Sequence, residues 1–159
     1  MISIAVQTDD INIAAEMAAL RGDAAVGAIT TFLGVMRDIN EVNGDTASVN
    51  TLTLEHYPGM TEASLNDIAQ QAAARFSLLA VRVVHRVGTF APTDAIVWVG
   101  TAASHRQAAF DGCNCVMDYL KTQAPFWKHE TTATGARWVD ARESDSAALG
   151  RWAAAKAQA

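Results

Sequence analysis

The sequence predicts an α+β fold: one domain of mixed, mainly antiparallel strands with about three main helices. Three observations predict it. The 159 residues are half hydrophobic, enough to bury a single core without staples. Helical and strand-like periods follow one another without the regular βαβ rhythm of a parallel sheet. No internal repeat, low-complexity linker or composition shift divides residues 1–159, and only the alanine-rich end, from about 146 to 159, is expected to fray.

The elements follow in order. DINIAAEMAALRG offers Asp10 as an N-cap and Gly22 as a stop, so residues 11–21 read as a helix. VGAITTFLGV, 26–35, is β-branched and reads as a strand. RDINEVNGDTAS is polar, carries an Asn-Gly turn signal at 43–44 and reads as a mobile loop. VNTLTLEHY is strand-like and meets the Pro58-Gly59 turn. From Thr61 to Phe76, Leu65, Ile68, Ala69, Ala72 and Phe76 recur at helical spacing. LLAVRVVHRVG and DAIVWVGTAA form two further strands around an Ala91-Pro92 turn. Ser104 and Gln107 have capping-box spacing and open a helix to about Thr122. A short strand pair follows, around 127–131 and 136–140.

Composition excludes several functions. A net charge of −5 argues against a general nucleic-acid surface, which needs a broad basic face. Cys113 and Cys115 lie two apart on a helix and point to opposite sides, which suits neither a disulfide nor a zinc knuckle; they read as small buried side chains. His56 and His129 are scattered, so no metal site is expected. GxSxG, Walker and Rossmann signatures are absent. No segment approaches a membrane span and the N-terminus lacks a leader pattern, so the expectation is a soluble, cytoplasmic protein.

The stretch MDYLKTQAPFWKHE, 117–130, sets Lys121 and Lys128 seven apart around Pro125. A lysine in a last helical turn meets the negative end of the helix dipole, and a second beyond it could simply be solvated. Pro125 also ends the helix and biases Ala124 to extended backbone, so spacing alone does not bring the two ammonium groups together. Other cations cluster at element ends: Arg37 after TTFLGVM, and His105 with Arg106 at the start of a helix. Helix starts attract anions and disfavour cations unless an anion is bound. His85-Arg86 reads as a structural pair, and Glu55, Asp118 and Glu130 as ordinary ion-pair carboxylates. The residues by themselves support a small cationic, anion-accepting pocket.

FLGVMR (32–37), LTLEHYPGMTE (52–62), VVHRVG (83–88), SHRQAAF (104–110) and MDYLKTQAPFWKHE together resemble the large, catalytic subunit of molybdopterin synthase, the MoaE family, in register from about 24 to 145. Met36 stands where valine is common and His129 where lysine or arginine is usual. The resemblance implies an α/β hammerhead fold and a sulfurtransferase. Its partner is a small ubiquitin-like sulfur-carrier subunit ending in a Gly-Gly thiocarboxylate, and its substrate is cyclic pyranopterin monophosphate. The product is the dithiolene of molybdopterin, in molybdenum cofactor biosynthesis. It further implies a homodimer within a heterotetramer, with no cofactor, metal, nucleic acid or membrane.

By motif, the resemblance makes Lys121 and Lys128 catalytic, and Arg37, His105 and Arg106 substrate-binding. His129, Glu130 and Arg142 join the lining of the pocket. Lys121 then serves as fixed cation, base or nucleophile, alternatives the sequence leaves open. Pro125 is expected to turn Lys128 back towards Lys121, and Phe126 and Trp127 are expected to pack in the core or a subunit interface. The rival reading is a dimeric module that binds a phosphorylated small molecule or a partner's tail without chemistry.

Overall fold

The computed structural model describes residues 1–42, 45–132, 135–139 and 150–152. Its strands form two sheets. The first has the order β1-β5-β7-β2, from β1 (Ile2–Gln7), β5 (Ala80–Arg86), β7 (Ala95–Ala103) and β2 (Ala28–Val35). Only β1 and β5 run parallel; β5–β7 and β2–β7 are antiparallel. The second has the order β3-β4-β8-β9, from β3 (Ile39–Val42), β4 (Asp45–His56), β8 (Phe126–Thr132) and β9 (Gly135–Val139), with β6 (Gly88–Phe90) also on β4. The expected mixed, mainly antiparallel α+β architecture is therefore present.

Strand β7 shows why the core sits where it does. AIVWVGTAA is buried along almost its whole length, as an apolar strand covered on both faces must be. Alternation sends Val97 and Val99 to one side, where they meet Leu65, Ile68, Ala69 and Ala72 of α2 (Met60–Phe76) and Cys113, Val116 and Leu120 of α3 (Arg106–Gln123). It sends Trp98 and Ala102 to the other, against Leu20 of α1 (Ile13–Leu20). Gly100 lies under that second cluster, and a Cβ there would run into the Trp98 ring and Leu20. A third cluster, Met36, Val49, Leu54 and Phe90, joins the two sheets.

Several local expectations are corrected. Helix α1 starts at Ile13, because the Asn12 side chain, not Asp10, accepts the Ala15 N–H. Its end falls at Leu20 with Arg21 as C-cap, one residue before Gly22. Residues Ile2–Gln7 form a strand that hydrophobic pattern did not reveal. The polar segment expected as a loop forms β3 and the start of β4, paired from Ile39↔Ser48 to Val42↔Asp45; Asn43 and Gly44 lie outside the described residues.

The Ser104–Gln107 capping box is not formed. His105 is the N-cap of α3 and its side chain makes no capping hydrogen bond, while Gln107 donates to Asp111 one turn on. At α2 the corresponding contact runs from the Gly59 N–H to the Glu62 carboxylate at 2.7 Å. Most of the alanine-rich end lies outside the described residues, but 150–152 are helical and docked. No described helix is long and apolar enough to cross a membrane.

Candidate active site

Helix α3 and strand β8 meet in a two-residue junction, Ala124-Pro125, and the two lysines stand on either side of it. Lys121 is in the last turn of α3, where its charge complements the helix end. Ala124 is extended, at φ −73° and ψ 127°, as a residue before proline should be. The Pro125 carbonyl accepts a hydrogen bond from Thr61 Oγ1 of α2 at 3.1 Å, and Ser64 Oγ reaches the Gln123 carbonyl at 3.5 Å. Helix α2 thus ties down the place where α3 stops. Lys128 is the third residue of β8, and both lysines are exposed.

Strand alternation sorts the residues that follow. Phe126, Lys128 and Glu130 share one face of β8, and Trp127 and His129 share the other. The first face looks inward: Phe126 stands opposite His56, Lys128 opposite Leu54, and Glu130 opposite Leu52. Leu54 is buried at 2% exposure and Glu130 at 6%. The outer face carries Trp127, 47% exposed, and His129, whose ring meets Trp138 edge-on at 5.0 Å. Glu130 therefore keeps the side of Lys128 and His129 does not. Phe126 packs as expected, whereas Trp127 within this chain is about half exposed.

Arg37 approaches from the first sheet. Met36 before it is buried in the same cluster as Leu54, which is the strand partner of Lys128. Backbone bonds between Met36 and the Thr93–Asp94 turn hold this end of β2, and the Arg37 side chain is exposed.

His105 and Arg106 are elsewhere. They open α3, and Lys121 stands in its last turn, fifteen residues after Arg106. At 1.5 Å per residue that is roughly 22 Å of rigid helix. Within one chain the structure does not bring this pair to the lysines. Gly27 shapes their position: its N–H bonds to the Ala103 carbonyl at 3.0 Å, and a Cβ on Gly27 would overlap the Ser104 carbonyl. Arg142 lies outside the described residues.

The pair expected to be structural is built as one, with an addition. Arg86 donates to the Ala95 and Thr8 carbonyls and pairs with Asp10 at 2.9 Å. His85 is buried and stacks face to face on Phe126, with ring centroids 3.8 Å apart and planes at 18°. Burial pushes its imidazole down to about 4, with Lys128 and His56 adding in the same direction against its hydrogen bond to the Arg86 carbonyl. His56 in turn pairs with Glu62 at 3.4 Å. The signal missed in the sequence is a histidine at the inner end of an apolar strand, in VVHR. Among the described residues, no three His, Cys, Asp or Glu side chains are grouped to hold a metal ion.

Comparison with known proteins follows the same segments. The MoaE protein family matches residues 6–123. A molybdopterin synthase catalytic subunit from Ralstonia nicotianae is 51% identical over 153 residues, 96% of this chain and 85% of that protein. A solved structure of a molybdopterin biosynthesis MoaE protein from Burkholderia ambifaria superposes with a TM-score of 0.81 at 52% identity, covering 96% of this chain and 99% of that one. A molybdopterin synthase crystal structure from Staphylococcus aureus gives 0.77 at 21% identity over 86% of this chain and 96% of that one, a likeness of fold.

Proposed function

Since the chain belongs to the MoaE protein family, we propose the residues with which it works as the catalytic subunit of molybdopterin synthase. The reaction moves sulfur from the C-terminal thiocarboxylate of a small ubiquitin-like partner to cyclic pyranopterin monophosphate, and the dithiolene of molybdopterin results. Both reactants are anionic and charge builds further as sulfur is transferred. Catalysis therefore calls for a few fixed cations in a chain whose net charge is −5.

The observation that carries the assignment is the α3–β8 junction, with Lys121 and Lys128 on its two sides and α2 pinning it through Thr61. In our reading Lys121 faces the thiocarboxylate carbon, Lys128 faces the reacting carbons of the pterin side chain, and Arg37 holds the substrate from the β2 end. As a fixed cation Lys121 stabilises developing negative charge directly; as a base or nucleophile it must first give up its proton.

His105 and Arg106 bind the phosphate in this reading, and helix length constrains how. A phosphate about 3 Å from their donors cannot also lie beside a lysine roughly 22 Å along the same helix. The second copy of the chain in the central homodimer of the heterotetramer supplies them to the pocket. The protein acts in the cytoplasm: Cys113 and Cys115 are unpaired thiols, which suits a reducing compartment.

The test is molybdopterin formation from a thiocarboxylated Gly-Gly-ended partner and cyclic pyranopterin monophosphate, with Lys121→Ala alongside. Product from the wild type and none from the variant is the expected result. A Lys121→Ala protein that turns over normally overturns the assignment of that lysine. A wild-type protein that binds both reactants and makes no product overturns the enzymatic reading.

A further inference from the structure

Lys128 is only three residues beyond Pro125, at the beginning of a strand, and strand ends fray unless something holds them. The backbone before it is held by Thr61 and Ser64 of α2. The side chains on its own face are held differently. Phe126 is two residues before Lys128, so the two point to the same side, and Phe126 is clamped between strand pairing with His56 and the ring of His85.

His85 is placed for that purpose by the first sheet. It is at the inner end of β5, 5% exposed, paired on one side with Val6 and on the other with Val97. Its ring has no freedom to turn: Nδ1 lies 2.8 Å from the Arg86 carbonyl. A carbonyl only accepts, so Nδ1 carries the proton and Nε2 is the bare nitrogen of a neutral ring. The Arg86 side chain beside it is anchored to Thr8, Asp10 and Ala95. The charged or titratable groups that act electrostatically on the ring are Lys128 on β8 and His56 on β4, and His56 is paired with Glu62 of α2. A neutral ring can sit against this cationic surface, where an ammonium or guanidinium would repel Lys128.

We infer that His85 is a positioning residue for Lys128: its stack on Phe126 fixes the start of β8 and hence the direction in which the Lys128 side chain enters the site. The inference rests on the assignment of Lys128 above and deepens it, because it names a residue of the first sheet that never touches substrate. The packing is also directional. A flat ring stacked at 3.8 Å resists rotation of Phe126 in a way that an aliphatic side chain of equal volume does not.

The experiment compares His85→Leu and His85→Phe in the assembled synthase, with Lys128→Ala as reference. Turnover is read against pH, and the Lys128 side-chain resonance is titrated in protein with labelled lysine. His85→Leu is expected to lower kcat roughly 10–100-fold, the size of effect that follows from about 1 Å of misplacement, and to move both the Lys128 titration and the pH profile. His85→Phe, which keeps the flat ring, is expected to restore turnover to within about threefold of wild type and to leave the titration in place. Any other pattern overturns the inference. In particular, equal losses in both variants with an unmoved Lys128 titration make His85 a stability residue only. If Lys128→Ala itself turns over normally, the failure lies in the assignment of Lys128; if Lys128→Ala is inactive and His85→Leu is normal, it lies in the inference alone.

Discussion

The indole N–H of Trp152 donates to the Asp118 carboxylate at 2.8 Å, and the same ring meets Phe76 edge-on at 5.6 Å. The helical turn at 150–152 is thereby fastened across α2 and α3, one turn before Lys121. Arg151 also reaches Asp118 at 2.8 Å but its side chain is 60% exposed, so its ion pair is worth under about 1 kcal/mol. The ring contact and the part-buried hydrogen bond dominate. Trp152→Ala should destabilise the protein by roughly 1–3 kcal/mol, lowering Tm by about 3–10 °C in a domain of this size. Arg151→Ala should change Tm by less than about 3 °C. Thermal melts that rank the two the other way would show that residues 150–152 are held by charge.

Helix α3 sets a second expectation. If one pocket takes Lys121 from one copy and Arg106 from the other, Lys121→Ala and Arg106→Ala homodimers should each be inactive. Mixed dimers carrying one variant chain of each kind should regain one intact pocket of two. Activity near half of wild type, corrected for the fraction of mixed dimers, is the expected outcome of a subunit-exchange assay. No recovery would place Arg106 and Lys121 in separate roles on one chain.

Acid should weaken the fold through His85. Its pKa is depressed in the folded state, to about 4 from an ordinary 6.5, chiefly by burial. The unfolded chain therefore binds a proton that the folded chain refuses between those values. This contribution to stability is fully present above about pH 6.5 and is lost as pH falls towards 4, to a total of roughly 3 kcal/mol. Denaturant midpoints from pH 7.5 to 4.5 should fall more steeply for the wild type than for His85→Phe. Equal slopes would mean that other groups control the acid limb.

The two cysteines should be silent. Cys113 and Cys115 are 4% and 3% exposed, and burial pushes both thiols up to about 11. At pH 8 about one in a thousand is thiolate, too few for ready alkylation of a closed core. Native protein should show no fast-reacting thiol and unfolded protein two per chain. A Cys115 that labels within seconds in the native state would show that α3 opens readily to solvent.

Legibility from sequence divided along physical lines. Helices α2 and α3 were readable because a 3.6-residue apolar period is a local property, and so was the break at Pro125, because a ring-locked φ needs no partner. The candidate cations were readable for the same reason: Arg37, Lys121 and Lys128 occur in short ordered motifs. Strand β1 was not, since what makes ISIAVQ a strand is its pairing with β5, almost eighty residues away. The hairpin of β3 and β4 was hidden by polarity, although backbone pairing needs no apolar side chain. The helix start was misjudged at Ser104 because its box depends on where the chain arrives from β7.

What the sequence by itself determined is the kind of groups present and the local structure carrying them: cations at element ends, a proline-marked junction, and an apolar strand in the middle. The tertiary structure alone decided which face each group occupies. It set His129 on the far side of β8 from Lys128, laid His85 against Phe126, and held His105 and Arg106 a full helix away from Lys121. The physical reason is that periodicity and propensity act over a few residues, whereas facing, stacking and separation are set by strand register and helix length. Those are fixed only when distant segments pack on one another.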